Sequence, residues 1–237
     1  MKRIIDIHSH IIPFVDDGSG SMQETMEMLK AYEDQNVEAV ICTPHFGPCA
    51  IPGVNVESAF EWLKSTSKDV KMYLGNEILL TSLTLQDVRR GRARTMNNTD
   101  WILIEFEEWL LRFSAKEILA CVKWMACSEY KIILAHPERY TDLQFHPRIC
   151  DQITKAGVKL QINAYDICEN KDEHITRLTQ YLLKKKLVSF IGSDAHGMHR
   201  FPALTNGVKW IYDNCPKDYA DAIVHDNAER IIKEGEA

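Results

Sequence analysis

The chain has 237 residues, 45% of them apolar and 26% charged, with no Gly/Ser/Pro-rich or low-complexity divider, so one globular domain over residues 1–237 is expected. A net charge of -6, with no clustered Lys and Arg surface, excludes a nucleic-acid backbone binder. Asp6, His8 and His10 interrupt the apolar amino terminus, and no run approaches the roughly 18 residues of a membrane span. Together with seven scattered cysteines lacking CxxC pairs, this predicts a cytoplasmic protein with reduced thiols and no membrane insertion.

Seven strand candidates alternate with amphipathic stretches: RIIDI (3–7), VEAVICT (37–43), VKMYLG (70–75), WILIEF (101–106), KIILA (131–135), VKLQIN (158–163) and LVSFIG (187–192). After the first strand, Ser21 and Glu24 form a capping-box pattern, and Met22, Met26, Leu29 and Tyr32 fall on one helical face. Ser114 and Glu117 repeat the start signal before Ile118, Val122 and Met125. Trp109, Leu110 and Leu111, just after the fourth strand, are read as core packing in preference to a pocket or interface lining. Lys184–Lys186 read as a helix end, where cations suit the dipole. Near-continuous apolar strands imply burial on both faces, hence an α/β barrel or doubly wound sheet with outer helices.

The residues that follow each strand share one chemistry. His8, His10 and Asp17 follow the first, His45 the second, Glu77 the third, Glu105 ends the fourth, His136 follows the fifth, and Asp194 and His196 the seventh; only the sixth lacks a candidate. Carboxyl ends of parallel strands open onto one face, so these side chains are predicted to converge. Imidazole and carboxylate bind Zn, Mn or Fe, and this set exceeds what one ion needs, which predicts two or three divalent ions. The HSH and DAH spacings put two side chains on one side of an extended segment. A single His or Glu at a strand end is more often a capping or hydrogen-bonded residue than a ligand, but five of the nine histidines sit at such ends. His146, His174, His199 and His225 are read as ordinary surface residues. Asp16 stays open between capping the turn at Gly18 and binding metal. Arg139 in AHPERY and Arg200 in DAHGMHR suit a phosphate beside metals, against structural ion pairs with carboxylates.

In their order, DIHSHIIPFVDDG, ICTPHF, GNEI, ILIEF, ILAHPERY, QINA and GSDAH resemble the PHP (polymerase and histidinol phosphatase) superfamily, over residues 4–200. Within it, the chain is most similar to the bacterial metal-dependent protein-tyrosine phosphatases of capsular and exopolysaccharide loci. The resemblance implies a distorted seven-stranded (β/α) barrel, a trinuclear site, manganese first with iron or zinc possible, and hydrolysis of phosphotyrosine on a bacterial tyrosine autokinase. It also implies a partition: His8, His10, Glu77 and Asp194 on one metal, Glu77, Glu105 and His136 on the second, Asp17, His45 and His196 on the third, with Arg139 and Arg200 holding phosphate. The chain departs from the family's pattern at Leu79, Glu107 and Ala228 and in a shortened His196–Arg200 stretch, and none of these departures removes an implied metal ligand. No cysteine begins a CxxxxxR loop, which excludes a cysteine-based tyrosine phosphatase. The rivals are hydrolysis of a small ester such as histidinol phosphate, and a non-catalytic kinase-binding regulator.

Overall fold

The computed structural model describes residues 1–106 and 113–237, so Trp109–Leu111 lie outside the described residues. All seven expected strands form: β1 (Ile4–Ser9), β2 (Val37–Cys42), β4 (Lys71–Leu74), β6 (Trp101–Glu105), β7 (Lys131–Leu134), β8 (Lys159–Asn163) and β9 (Val188–Gly192). Two short ones are added, β3 (His45–Phe46) and β5 (Glu77–Leu79). Every pairing is parallel, in the orders β1-β2-β4 and β3-β5-β6-β7-β8-β9. The fold is therefore α/β, but its strands form two sheets instead of one hydrogen-bonded ring of seven.

The local reason lies at two breaks. Between β2 and β3 stand Thr43 and Pro44, and proline has no N–H to give to a ladder. Between β4 and β5 stand Gly75 and Asn76; the buried Asn76 side chain donates to the Pro44 carbonyl at 2.7 Å and accepts from the Arg94 N–H at 2.8 Å. Each break swings the chain from the first sheet into the second, which sets His45 in register with Glu77 and Leu79 with Glu105. On the other flank, an isolated bridge joins Ser9 to Ala195, and the N–H groups of His10 and Asp194 donate to the carbonyls of Ala195 and His8 at 3.0 and 2.8 Å. Beneath them Asp6, fully buried, accepts from the Ser193 N–H at 2.9 Å and the Tyr32 hydroxyl at 2.9 Å.

The helices depart from expectation in one instructive place. In the helix Met22–Asp34 the buried residues are Thr25, Met28, Leu29, Ala31 and Tyr32, while Met22 and Met26 are 49% and 50% exposed. Thr25 takes the inner position because its hydroxyl donates to the Ile11 carbonyl at 2.9 Å and meets the Ser19 hydroxyl at 2.8 Å. Ser21 accepts from the Glu24 N–H, but the Glu24 carboxylate reaches Gly20 and Met198 instead of closing the box on Ser21. The Ser114–Glu117 box is complete, and Ile118, Val122 and Met125 are buried below it. Lys184 ends its helix as read. Among the described residues no helix is long and apolar enough to cross a membrane.

Candidate metal centre

Glu77 occupies the middle of the cluster. Its Oε2 lies 3.1 Å from His8 Nε2, 3.2 Å from His10 Nε2 and 3.3 Å from His45 Nδ1, and its Oε1 lies 2.9 Å from His136 Nε2. Asp194 Oδ1 approaches His8 and His10 at 3.5 and 3.7 Å. Asp17 Oδ1 stands 3.4 Å from His45 Nε2 and 3.5 Å from His196 Nε2, and Glu105 meets His45 at 3.3 Å and His136 at 3.9 Å. All nine strand-end residues thus come together, although they span positions 8 to 196.

Three groupings place one donor atom from each residue within 4.8 Å of the others: His8, His10, Glu77 and Asp194; His10, Asp17, His45 and His196; and His45, Glu77 and Glu105. The first coincides with an implied set, and the second adds His10 to another. The third has His45 where the resemblance implies His136, which instead sits against Glu77. Two of these residues hold left-handed backbones, His136 at φ +29° and Asp194 at φ +51°, conformations that surrounding contacts must impose on a non-glycine residue. At Gly18 a Cβ would stand 2.2 Å from the His10 carbonyl oxygen, so only glycine lets the DDG turn fold back over His10.

The donor set fits divalent cations. His8 Nδ1 faces the Gln161 side-chain oxygen at 2.9 Å and His10 Nδ1 faces Asp16 Oδ2 at 2.7 Å; both partners only accept, so each Nδ1 carries the proton. The two Nε2 atoms then face each other at 3.3 Å amid the oxygens of Glu77 and Asp194. That point demands positive charge, from ring protons or from a cation. Burial alone would keep His8 neutral, but Glu77 and Asp194 raise it to about 9; His45, also opposed by burial, is raised to about 10 by Glu105 and Glu77. The reverse holds at His196, which burial and the neighbouring His10 push down to about 2, leaving an uncharged imidazole. Burial works against ionised Asp194 and Glu77, yet both are held well below the carboxylate range, by His8 above all.

Asp16 resolves as a buried tether. Besides His10 it accepts from the Gly18 N–H at 3.0 Å and the His45 N–H at 2.9 Å, so it caps the turn and ties two proposed ligands together. Gln161 and Asn163, on the strand that offered no candidate, were not legible as site residues; the signal available was two amides alternating with Val158, Leu160 and Ile162 in VKLQIN, in phase with Lys159. The buried Asp166 was also missed. It accepts from Arg139 Nε at 2.9 Å, while Arg139 Nη1 and Arg200 Nη2 reach Asp194 Oδ2 at 2.7 and 2.6 Å. His146, His174 and His199 are exposed, as read, but the His225 side chain is only 12% exposed, set beside Glu38 and Asp226.

Above the cluster opens a cavity of about 350 Å³ with a mixed polar and apolar lining. Arg139 and Arg200 line it together with the acids and imidazoles; Phe46, Pro48, Leu79, Phe106 and Tyr140 supply apolar wall. Phe46, Leu79 and Phe106 come from β3, β5 and the end of β6, which are neighbours in the sheet. Parallel strands presenting a His/Asp/Glu cluster beside two arginines define an α/β protein with a candidate metal-binding site.

Residues 4–233 match the family described as capsular polysaccharide synthesis, CpsB/CapC, and the chain belongs to that family. The tyrosine-protein phosphatase CpsB of Streptococcus agalactiae serotype III (strain NEM316) is 29% identical over 242 residues, covering 97% of this chain and 98% of that one. A chain from the crystal structures of YwqE from Bacillus subtilis and CpsB from Streptococcus pneumoniae, described as unique metal-dependent tyrosine phosphatases, matches with a TM-score of 0.83 at 24% identity, covering 98% of this chain and 95% of the other. Histidinol phosphate phosphatase from Lactococcus lactis shares the fold at a TM-score of 0.59 and 14% identity, over 98% of this chain and 94% of the other.

Proposed function

We propose that this chain is a metal-dependent protein-tyrosine phosphatase, with a bacterial tyrosine autokinase as its phosphoprotein substrate and the cytoplasm as its place of action. The observation that carries the reading is the mixed lining of the cavity: imidazoles, carboxylates and two arginines together with Phe46, Leu79 and Phe106. The charged groups suit a phosphate and the apolar ones an aromatic leaving group. Family membership and the tyrosine-phosphatase relative support it.

His8, His10, Glu77 and Asp194 would hold one cation, Asp17, His45 and His196 another, and Glu77, Glu105 and His136 a third; the abundance of donors supports two or three ions, manganese first. Such ions supply Lewis acidity toward phosphoryl oxygens and toward water. The chain's own groups do the rest. Arg139 and Arg200, already converging on Asp194 Oδ2, present guanidinium N–H donors to the anion's oxygens. The apolar wall takes the tyrosyl ring and excludes water from that side. The one-domain reading and the distorted seven-stranded barrel belong to this proposal; the barrel is supported by counting β2 with β3 and β4 with β5 as two broken strands, and by the Ser9–Ala195 bridge.

The test is parallel hydrolysis of a phosphotyrosine peptide, a phosphoserine peptide and histidinol phosphate by the metal-loaded protein. Preference for phosphotyrosine is expected, and preference for histidinol phosphate would overturn the reading.

A further inference from the structure

Strand β8 contributes no candidate ligand, yet two of its side chains touch three of them. Asp194 Oδ2, which can only accept, receives a hydrogen bond from Asn163 Nδ2 at 3.1 Å. That fixes the orientation of the Asn163 amide, whose oxygen then accepts from Gln161 Nε2 at 2.9 Å. The Gln161 amide is fixed in turn, and its oxygen accepts from His8 Nδ1 at 2.9 Å and, at 3.4 Å, from the backbone N–H of His136. The proton on His8 Nδ1 leaves the Nε2 lone pair aimed back at the cluster that contains Asp194. Each link has one permitted polarity, set by the carboxylate at its end. All four side chains are buried. The space is made to fit: a Cβ on Gly192 would stand 2.6 Å from His8 Cβ and 2.9 Å from Gln161 Nε2.

We propose that Gln161 and Asn163 form an amide relay through which Asp194 dictates the tautomer of His8, making them positioning residues for divalent-cation binding. The inference rests on the reading of His8 and Asp194 as ligands. The relay also explains how two strained positions are tolerated, since it holds Asp194 through its side chain and His136 through its backbone. Outer hydrogen bonds of this kind orient ligating imidazoles, and their loss weakens metal affinity by roughly 10–100-fold.

The experiment uses the full chain with Zn(II) as a diamagnetic probe, in chelator competition and in nitrogen-15 NMR of the histidine rings. Gln161→Met, which keeps the volume but no hydrogen bond, is expected to weaken Zn(II) binding by roughly 10–100-fold and to abolish the slowly exchanging proton on His8 Nδ1. Gln161→Glu, which restores an acceptor, is expected to recover that proton and most of the affinity. Asn163→Ala, which leaves Gln161 unanchored, is expected to fall between them. Wild-type affinity in Gln161→Met, or failure of Gln161→Glu to recover His8 Nδ1–H, would overturn the relay. His8→Ala separates the two levels: wild-type Zn(II) binding in that variant would overturn the ligand reading itself, whereas a defect there beside an unaffected Gln161→Met overturns the relay alone.

Discussion

Replacing Arg139 by alanine separates a substrate contact from a structural ion pair, because its side chain lines the cavity and also pairs with two buried carboxylates. Its Nη1 meets Asp194 at the cavity floor, its Nε meets Asp166 behind, and the side chain is 31% exposed toward the cavity. As an anion contact in the transition state, its loss should lower kcat/KM by roughly 10²–10³, about 3–4 kcal/mol. As an ion pair, its loss leaves the buried Asp166 with Asn170 as its remaining side-chain donor among the described residues, at 2.6 Å, while Asp194 keeps Arg200 and Asn163. An under-satisfied buried carboxylate of this kind costs on the order of 1–3 kcal/mol, and each kcal/mol lowers Tm by about 2–4 °C in a chain of this size. Kinetics on a phosphotyrosine peptide, with metal content and Tm measured beside them, read both effects. Adding Asp166→Asn to the variant should return much of the Tm and none of the activity, and Arg139→Lys should recover little kcat/KM, since an ammonium cannot reproduce the fork. Near wild-type kcat/KM in Arg139→Ala, or activity regained with Asp166→Asn, would remove the arginine from the substrate site.

Asp16→Asn presents an amide to His10 Nδ1, and where its nitrogen faces the ring the proton moves to Nε2; affinity for the cations should fall by roughly 10–100-fold in chelator competition, and an unchanged affinity would contradict the tether. In the chelated protein His8 and His45 have folded pKa values raised to about 9 and about 10 from an ordinary value near 6.5. Their protonated forms therefore stabilise the fold fully below pH ~6.5, and that stability is lost as pH rises through 9 and 10; Tm of the metal-free protein should fall across this window, and a flat profile would refute the assignment. Leu79→Ala opens the apolar wall and should cost about 1–2 kcal/mol of transition-state binding for phosphotyrosine, about 10-fold in kcat/KM, with a smaller loss for phosphoserine; equal losses would show that the wall does not read the ring.

The strands were legible because β-branched apolar runs between polar breaks leave little choice, and the candidate ligands were legible because parallel strands deliver their ends to one face. His45 and Glu77 illustrate the limit of that rule. Their proximity depends on β3 and β5, segments of two and three residues that exist only because Pro44 and Asn76 break the preceding strands, which no periodicity reveals. The helical face was misassigned at Met22 and Met26 because hydropathy ranks threonine below methionine, while Thr25 is held inside by its hydroxyl contacts. Gln161, Asn163 and Asp166 escaped for a related reason: an amide or carboxylate acting through another side chain carries no spacing signature, and its role exists only in the hydrogen bonds of the folded chain.

On the proposed reading, the Glu77 cluster holds several divalent cations on which phosphotyrosine hydrolysis depends. Metal analysis of the purified protein, paired with hydrolysis of a phosphotyrosine peptide before chelation, after chelation and after Mn(II) is returned, tests it most directly. Two or three ions per chain, loss of activity with the ions, and its return with Mn(II) are expected. One ion or none in a fully active protein, or activity that survives complete chelation, would contradict it.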